Sequence, residues 1–173
     1  MSLENLWAGW RSEYIAEATA RERSGALTHD VESCVFCRLA GSGAPSEDNL
    51  VVWRGECAFV VMNAYPYASG HLLVMPVRHV DALGELAPGE SAALWSAVQD
   101  SVAALEAAYQ PDGLNVGANL GRAAGAGLPA HVHFHVLPRW SGDTNFMSSV
   151  AGTRVMPETL AQAWKKVSGA WPT

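Results

Sequence analysis

The chain has 173 residues, 49% of them apolar and 16% charged, with a net charge of −6 at neutral pH. That length suffices for one domain with a real core, and the charge excludes broad attraction to nucleic acid or an anionic membrane. No apolar run approaches the roughly 20 residues of a membrane span, and three cysteines with two in one Cys-x-x-Cys make no disulfide framework.

In chain order, Leu3, Leu6, Trp7, Trp10, Tyr14, Ile15 and Ala18 recur near helical spacing and predict an N-terminal helix within residues 1–24. The opening "MSLENLWAGWRSEY" lacks a cationic-then-apolar leader pattern, so the expected location is the cytoplasm. "CVFCRLA" reads as a turn of helix ending in the loop "GSGAPSEDN". "LVVWR", "CAFVVMN" and "HLLVMPV" are rich in β-branched residues and separated by turn signals, which predicts three strands. "AYPYASG" is an irregular connector between the second and third.

From Pro88 to Tyr109 the pattern predicts the longest helix, with proline at its first position and Leu94, Trp95, Val98, Val102 and Leu105 as its buried stripe. "GLNVGANL" reads as a strand, "GRAAGAGLPA" as a flexible loop, "HVHFHVLP" as the last strand, and residues 157–170 as a final helix bearing Leu160, Trp164 and Val167. No internal repeat or long linker divides the chain. The order predicts a single α+β domain over 1–173, with a core at 34–140 and a mostly antiparallel sheet of about five strands.

The last strand carries the chemistry. Alternation places His131, His133 and His135 on one face, about 7 Å apart, and Val132, Phe134 and Val136 on the other. One exposed histidine is unremarkable, but three in register are a poor choice for a merely solvated strand face. A hydrolytic metal site would recruit carboxylates, and none lies within seven residues of the three imidazoles. The other chemistry open to such a row is covalent catalysis at phosphorus: one imidazole attacks, another donates to phosphate oxygens, and a backbone carbonyl fixes the attacker's tautomer.

"HVHFHVL" resembles the His-φ-His-φ-His-φ-φ signature of the histidine triad (HIT) superfamily of nucleotide hydrolases and transferases, φ being apolar. "GHLLVMPVRH" stands about sixty residues upstream, as in that family. "LWAGWRSEYI", "CVFC" and "PRWSGDTNFM" are most similar to its bacterial diadenosine tetraphosphate phosphorylase (ATP adenylyltransferase) branch. The resemblance implies a HIT-like fold, assembled as a homodimer or, in this branch, a tetramer. The implied partner is an adenine nucleotide or dinucleoside polyphosphate, cleaved through a nucleotidyl-histidine by phosphorolysis or hydrolysis. It makes His133 the nucleophile, His135 its phosphate-contacting partner and His71 a supporting fourth histidine. It further places Asn63 at the ribose and Asn119 at the phosphate. The fragile histidine triad branch has a glutamine four residues before the first triad histidine; here that position is Gly127, which favours an acceptor such as inorganic phosphate over water. A nucleoside phosphoramidase or adenylyl-sulfate activity would use the same residues, and a nucleotide- or zinc-binding module with little turnover is the alternative from another class.

Cys34 and Cys37 supply two thiolates where tetrahedral zinc needs four ligands. In zinc-bearing relatives the others are a histidine after the "GHLLVMP" strand and the first triad histidine, which the resemblance maps to His79 and His131. Unmetallated thiols or redox chemistry are the other readings. "LGRAAGAGLPA" lacks the Lys-Ser/Thr of a P-loop and is followed by a strand, so it is no nucleotide fingerprint. Gly121, Gly125 and Gly127 either make a plain hairpin connection or let backbone N–H groups approach phosphate. Arg139 and Trp140, behind the strand, suit a phosphate and a purine, or equally a surface ion pair and an interface aromatic.

Overall fold

The computed structural model describes residues 31–144 and 155–172; the expected N-terminal helix, with Trp7 and Trp10, lies outside them. Five strands, β1 (Val51–Arg54), β2 (Ala58–Met62), β3 (Leu72–Pro76), β4 (Gly113–Gly117) and β5 (Phe134–Arg139), form one sheet in the order β1-β2-β3-β5-β4 with every pairing antiparallel. Among the described residues three α-helices accompany it: α1 (Val35–Ala40), α2 (Pro88–Tyr109) and α3 (Leu160–Gly169). None of the described helices is long and apolar enough to cross a membrane.

The central strands β2 and β3 read as continuous apolar runs because both faces of the sheet are covered there. On one face Val60, Met62, Leu72, Val74 and Val136 pack under α2 and α3, against Leu94, Ala97, Val98, Leu105, Ala163 and Val167. On the other, Phe59, Val61, Leu73 and Met75 pack around Phe36 of α1. Leu94, Val98 and Leu105 are the buried stripe expected of α2, but Trp95 is 54% exposed. One residue is 100° of helical turn, which carries Trp95 off the stripe that Leu94 begins.

Local chemistry sets the ends of the helices. Pro88 opens α2, and Glu90 reaches back to accept the Ala87 N–H at 2.9 Å while gripping Arg78 through two contacts of 2.8 and 2.7 Å. Thr159 caps α3 by accepting the Gln162 N–H at 3.2 Å, and the Gln162 side chain accepts the Thr159 N–H at 2.9 Å. This reciprocal box starts α3 at Leu160 rather than at Pro157. Trp164 then ties α3 to the sheet edge by donating from Nε1 to the Val51 carbonyl at 2.8 Å.

The histidine segment departs most from expectation. The ladder begins at Phe134, so His131 and His133 precede the strand. Side-chain bonds hold this stretch instead, together with the Val132 N–H, which donates to the Val80 carbonyl at 2.7 Å. Within β5 the alternation stands: Phe134 and Val136 face the α2 side, and His135 pairs with Leu73, whose side chain belongs to the opposite cluster.

Candidate active site and metal cluster

His131, His133 and His71 are buried and His135 is half-buried. The rings of His131 and His133 each meet the edge of Phe36, at 5.6 and 5.1 Å between centroids, and His133 lies 5.1 Å from His135. All three triad rings therefore lie on the α1 side of the sheet, away from Phe134.

Fixed partners settle the tautomers. A backbone N–H can only donate, so His71 Nδ1 accepts from the Tyr67 N–H at 3.0 Å, with the Asn63 amide nitrogen at 3.3 Å. The His71 proton then sits on Nε2 and is donated to His135 Nδ1 at 2.9 Å, which leaves His135 with an N–H at Nε2. A carbonyl can only accept, so His133 donates from Nδ1 to the His131 carbonyl at 2.9 Å and carries a lone pair on Nε2. The site thus sets a ring with an unprotonated nitrogen beside a ring with a protonated one, 5.1 Å apart between centroids. Burial lowers the His133 pKa, and burial together with His133 pushes His135 down to about 4, so both rings are neutral at physiological pH. A neutral imidazole with a free lone pair is a nucleophile, and a neutral N–H beside it is a donor for a departing oxygen.

His131 uses its three polar groups in three directions. Its carbonyl holds His133, its Nε2–H donates to the Pro76 carbonyl at 2.9 Å, and its Nδ1 faces Cys34 and Cys37 sulfurs at 3.5 and 3.7 Å. His79 Nδ1 lies 3.2 Å from the Cys37 sulfur, and the donor atoms of Cys34, Cys37, His79 and His131 all fall within 4.8 Å of one another. Zinc bonds of about 2.3 Å to sulfur and 2.0–2.1 Å to nitrogen at a tetrahedral angle would separate S and N by about 3.6 Å. The four side chains fit that ion, and the Pro76 carbonyl orients one ligand from behind. Burial, and then Cys34, pushes the Cys37 thiol up to about 11, and a bound dication would reverse that logic.

The remaining expected residues are dispersed. Asn63 directly follows β2, with its Oδ1 accepting the Tyr65 N–H at 2.9 Å and its Nδ2 on His71, so it braces the histidine relay. Asn119 lies two residues beyond Gly117, the β4 partner of His135. Gly127 is half-buried in the connection leading to His131. Arg139 and Trp140 are not brought to the histidines. Arg139 lies four residues beyond His135, roughly 13 Å along β5. Its guanidinium is engaged by Asp143 at 2.9 Å and Asn115 at 2.8 Å. Trp140 meets the edge of Tyr109 at 6.0 Å.

Two participants escaped the sequence reading. Phe36 stands between the two cysteines, and any fold that joined Cys34 and Cys37 to His131 had to bring it along. Tyr67 lies in the connector "AYPYASG", where irregular backbone gave no periodicity to read. Its N–H serves His71, and its ring lies 5.7 Å from His135 at 17° and 4.6 Å from His71.

The model of the HIT domain matches residues 45–142. The chain is 36% identical over 169 residues to the AP-4-A phosphorylase of Mycobacterium tuberculosis, covering 98% of this chain and 85% of that one. It is 33% identical over 93 residues to the asymmetrical bis(5'-nucleosyl)-tetraphosphatase of Schizosaccharomyces pombe, covering 54% of this chain and 50% of the other. Among solved structures, a Zn-bound histidine triad family protein from Mycobacterium smegmatis superposes with a TM-score of 0.65 at 27% identity, over 82% of this chain and 94% of its own.

Proposed function

The chain belongs to the HIT domain family, and from that premise we propose that it cleaves dinucleoside polyphosphates of the diadenosine tetraphosphate type through a nucleotide held covalently on His133. The observation that carries this reading is the opposed pair of ring nitrogens. His133 Nε2 bears a lone pair because Nδ1 is tied to the His131 carbonyl, and His135 Nε2 bears a proton because His71 occupies its Nδ1.

In the first step His133 Nε2 attacks the α-phosphorus, an N–P bond forms, and the P–O bond to the rest of the polyphosphate breaks. The electron pair leaves on the departing oxygen, where the His135 N–H offsets the charge. In the second step an acceptor oxygen attacks phosphorus, the N–P bond breaks, and the lone pair returns to His133. With inorganic phosphate as acceptor, diadenosine tetraphosphate gives ATP and ADP; with water it gives ATP and AMP. Similarity to a phosphorylase along nearly the whole chain, together with Gly127 at the glutamine position of the fragile histidine triad branch, supports phosphate. In the same reading Asn63 meets the ribose, Asn119 and the loop through Gly127 meet phosphate, and Cys34, Cys37, His79 and His131 hold a structural zinc. Arg139 and Trp140 take no part. The enzyme works in the cytoplasm as a homodimer.

Product analysis with diadenosine tetraphosphate, with and without phosphate, tests the acceptor. His133→Ala tests the mechanism: turnover falls by several orders of magnitude while nucleotide still binds, and the wild type alone yields an adenylylated peptide containing residue 133. Near wild-type turnover in the variant would remove the covalent route, and binding without turnover in the wild type would leave a nucleotide-binding module.

A further inference from the structure

The β2–β3 connector places two aromatic rings in water, Tyr65 86% and Tyr67 48% exposed, on either side of Pro66. Single exposed aromatics are ordinary, but these stand on backbone fastened to the site. The Tyr65 N–H is held by Asn63 and the Tyr67 N–H by His71, while the Asn63 N–H donates to the His71 carbonyl at 2.8 Å. The Tyr67 ring lies nearly parallel to His135, the imidazole to which the proposed mechanism gives the departing oxygen. A rigid scaffold presenting aromatic groups from a loop is the common form of a binding surface. With a net charge of −6, this chain has reason to hold a polyanion partly through groups that need no cation.

We propose that Tyr67, flanked by Tyr65, is the stacking subsite for the base of the departing nucleoside, extending the His135–Tyr67 stack by one aromatic ring. This rests on the dinucleotide-cleaving reading above, and it gives the leaving half of the substrate a recognition element of its own. Stacking accepts any base with a π-face, so the subsite selects for an aromatic terminus rather than for one sequence of atoms.

Two substrates separate the possibilities. Diadenosine tetraphosphate and adenosine 5'-tetraphosphate share the attacked phosphorus and the retained adenosine, and only the first has a departing nucleoside. Tyr67→Ala and Tyr65→Ala should each lower kcat/KM for the dinucleotide more than for the mononucleotide, by an extra factor of roughly 5 to 150 for a full stack. Tyr67→Phe should keep the wild-type ratio. An equal fall on both substrates in both alanine variants would show that the rings only support His135, and would overturn the subsite. No change on either substrate would overturn it as well. If the wild type turns over neither compound, the functional reading has failed by itself, and the ratio of Kd values for the two compounds in the His133→Ala background still decides the stack.

Discussion

Gly70 immediately precedes His71, and the consequence of giving it a side chain follows from two separate terms. Its φ of +76° lies in the left-handed region, where an L residue costs about 1–2 kcal/mol. A Cβ there would also stand 2.6 Å from Tyr109 Cε2 and 3.0 Å from Leu105 Cδ2. Neither neighbour is a loose end: Leu105 is fully buried, and the Tyr109 hydroxyl donates to Glu158 at 2.6 Å. Forcing them apart adds about 1–3 kcal/mol of overpacking, so Gly70→Ala should lose about 2–5 kcal/mol in all. Gly142 provides the control, with a φ of +75° and nothing within 4 Å of an added Cβ; Gly142→Ala should lose only the backbone term, about 1–2 kcal/mol. Urea unfolding of both variants reads the difference, and with m near 2 kcal/mol/M the two midpoints separate by about 0.5–1.5 M. Equal midpoints would refute the packing of Tyr109 and Leu105 against residue 70. At temperatures where Gly70→Ala stays folded, its turnover should still fall, because the shifted backbone carries His71.

Metal analysis should find one zinc per chain, lost in Cys37→Ser and kept in Cys57→Ser, since Cys57 lies outside the four-residue cluster. No stoichiometric uptake by metal-free protein would end the zinc assignment. In metal-free protein, burial pushes both His131 and His135 down to about 4 and lowers His133. The unfolded chain takes up these protons below about pH 6.5 and the folded chain does not, so stability is full above that pH and is lost as it falls toward 4. Each ring supplies at most about 1.4 kcal/mol per pH unit. His131 and His135 together then give a slope of at most about 2–3 kcal/mol per unit, the partly exposed His135 contributing the smaller share because solvent screens it, and His133 adds in the same direction. Urea midpoints measured from pH 7 to 5 check this, and a flat profile would mean the rings are not neutral and buried. Trp164→Phe removes the donor to the Val51 carbonyl and should cost about 1–2 kcal/mol by the same assay; an unchanged midpoint would show that water replaces the bond.

Much of the fold was legible because its elements obey simple periods. Val51–Arg54, Ala58–Met62 and Leu72–Pro76 are largely apolar runs between turn residues, and α2 occupies the range its proline and apolar stripe mark out, Pro88–Tyr109. The histidine strand was half legible. Alternation correctly gathers the three rings on the side opposite Phe134, but the strand itself stops short of His131 and His133, where side-chain bonds to Pro76, the cysteines and the His131 carbonyl replace ladder pairing. Arg139 has the right chemistry for phosphate, and only the third dimension reveals that Asp143 and Asn115 have already claimed it. Tyr67 acts through a backbone N–H, a group every residue but proline has, so no residue type announces it.

His131 works through opposite ends of one residue, its ring toward the sulfurs and its carbonyl toward the His133 imidazole. Because ring and peptide belong to one residue, neither contact can be moved without disturbing the other. A descendant that surrendered its thiols would have to clamp the peptide at position 131 by some other means, or forfeit the aim of its neighbour's nitrogen.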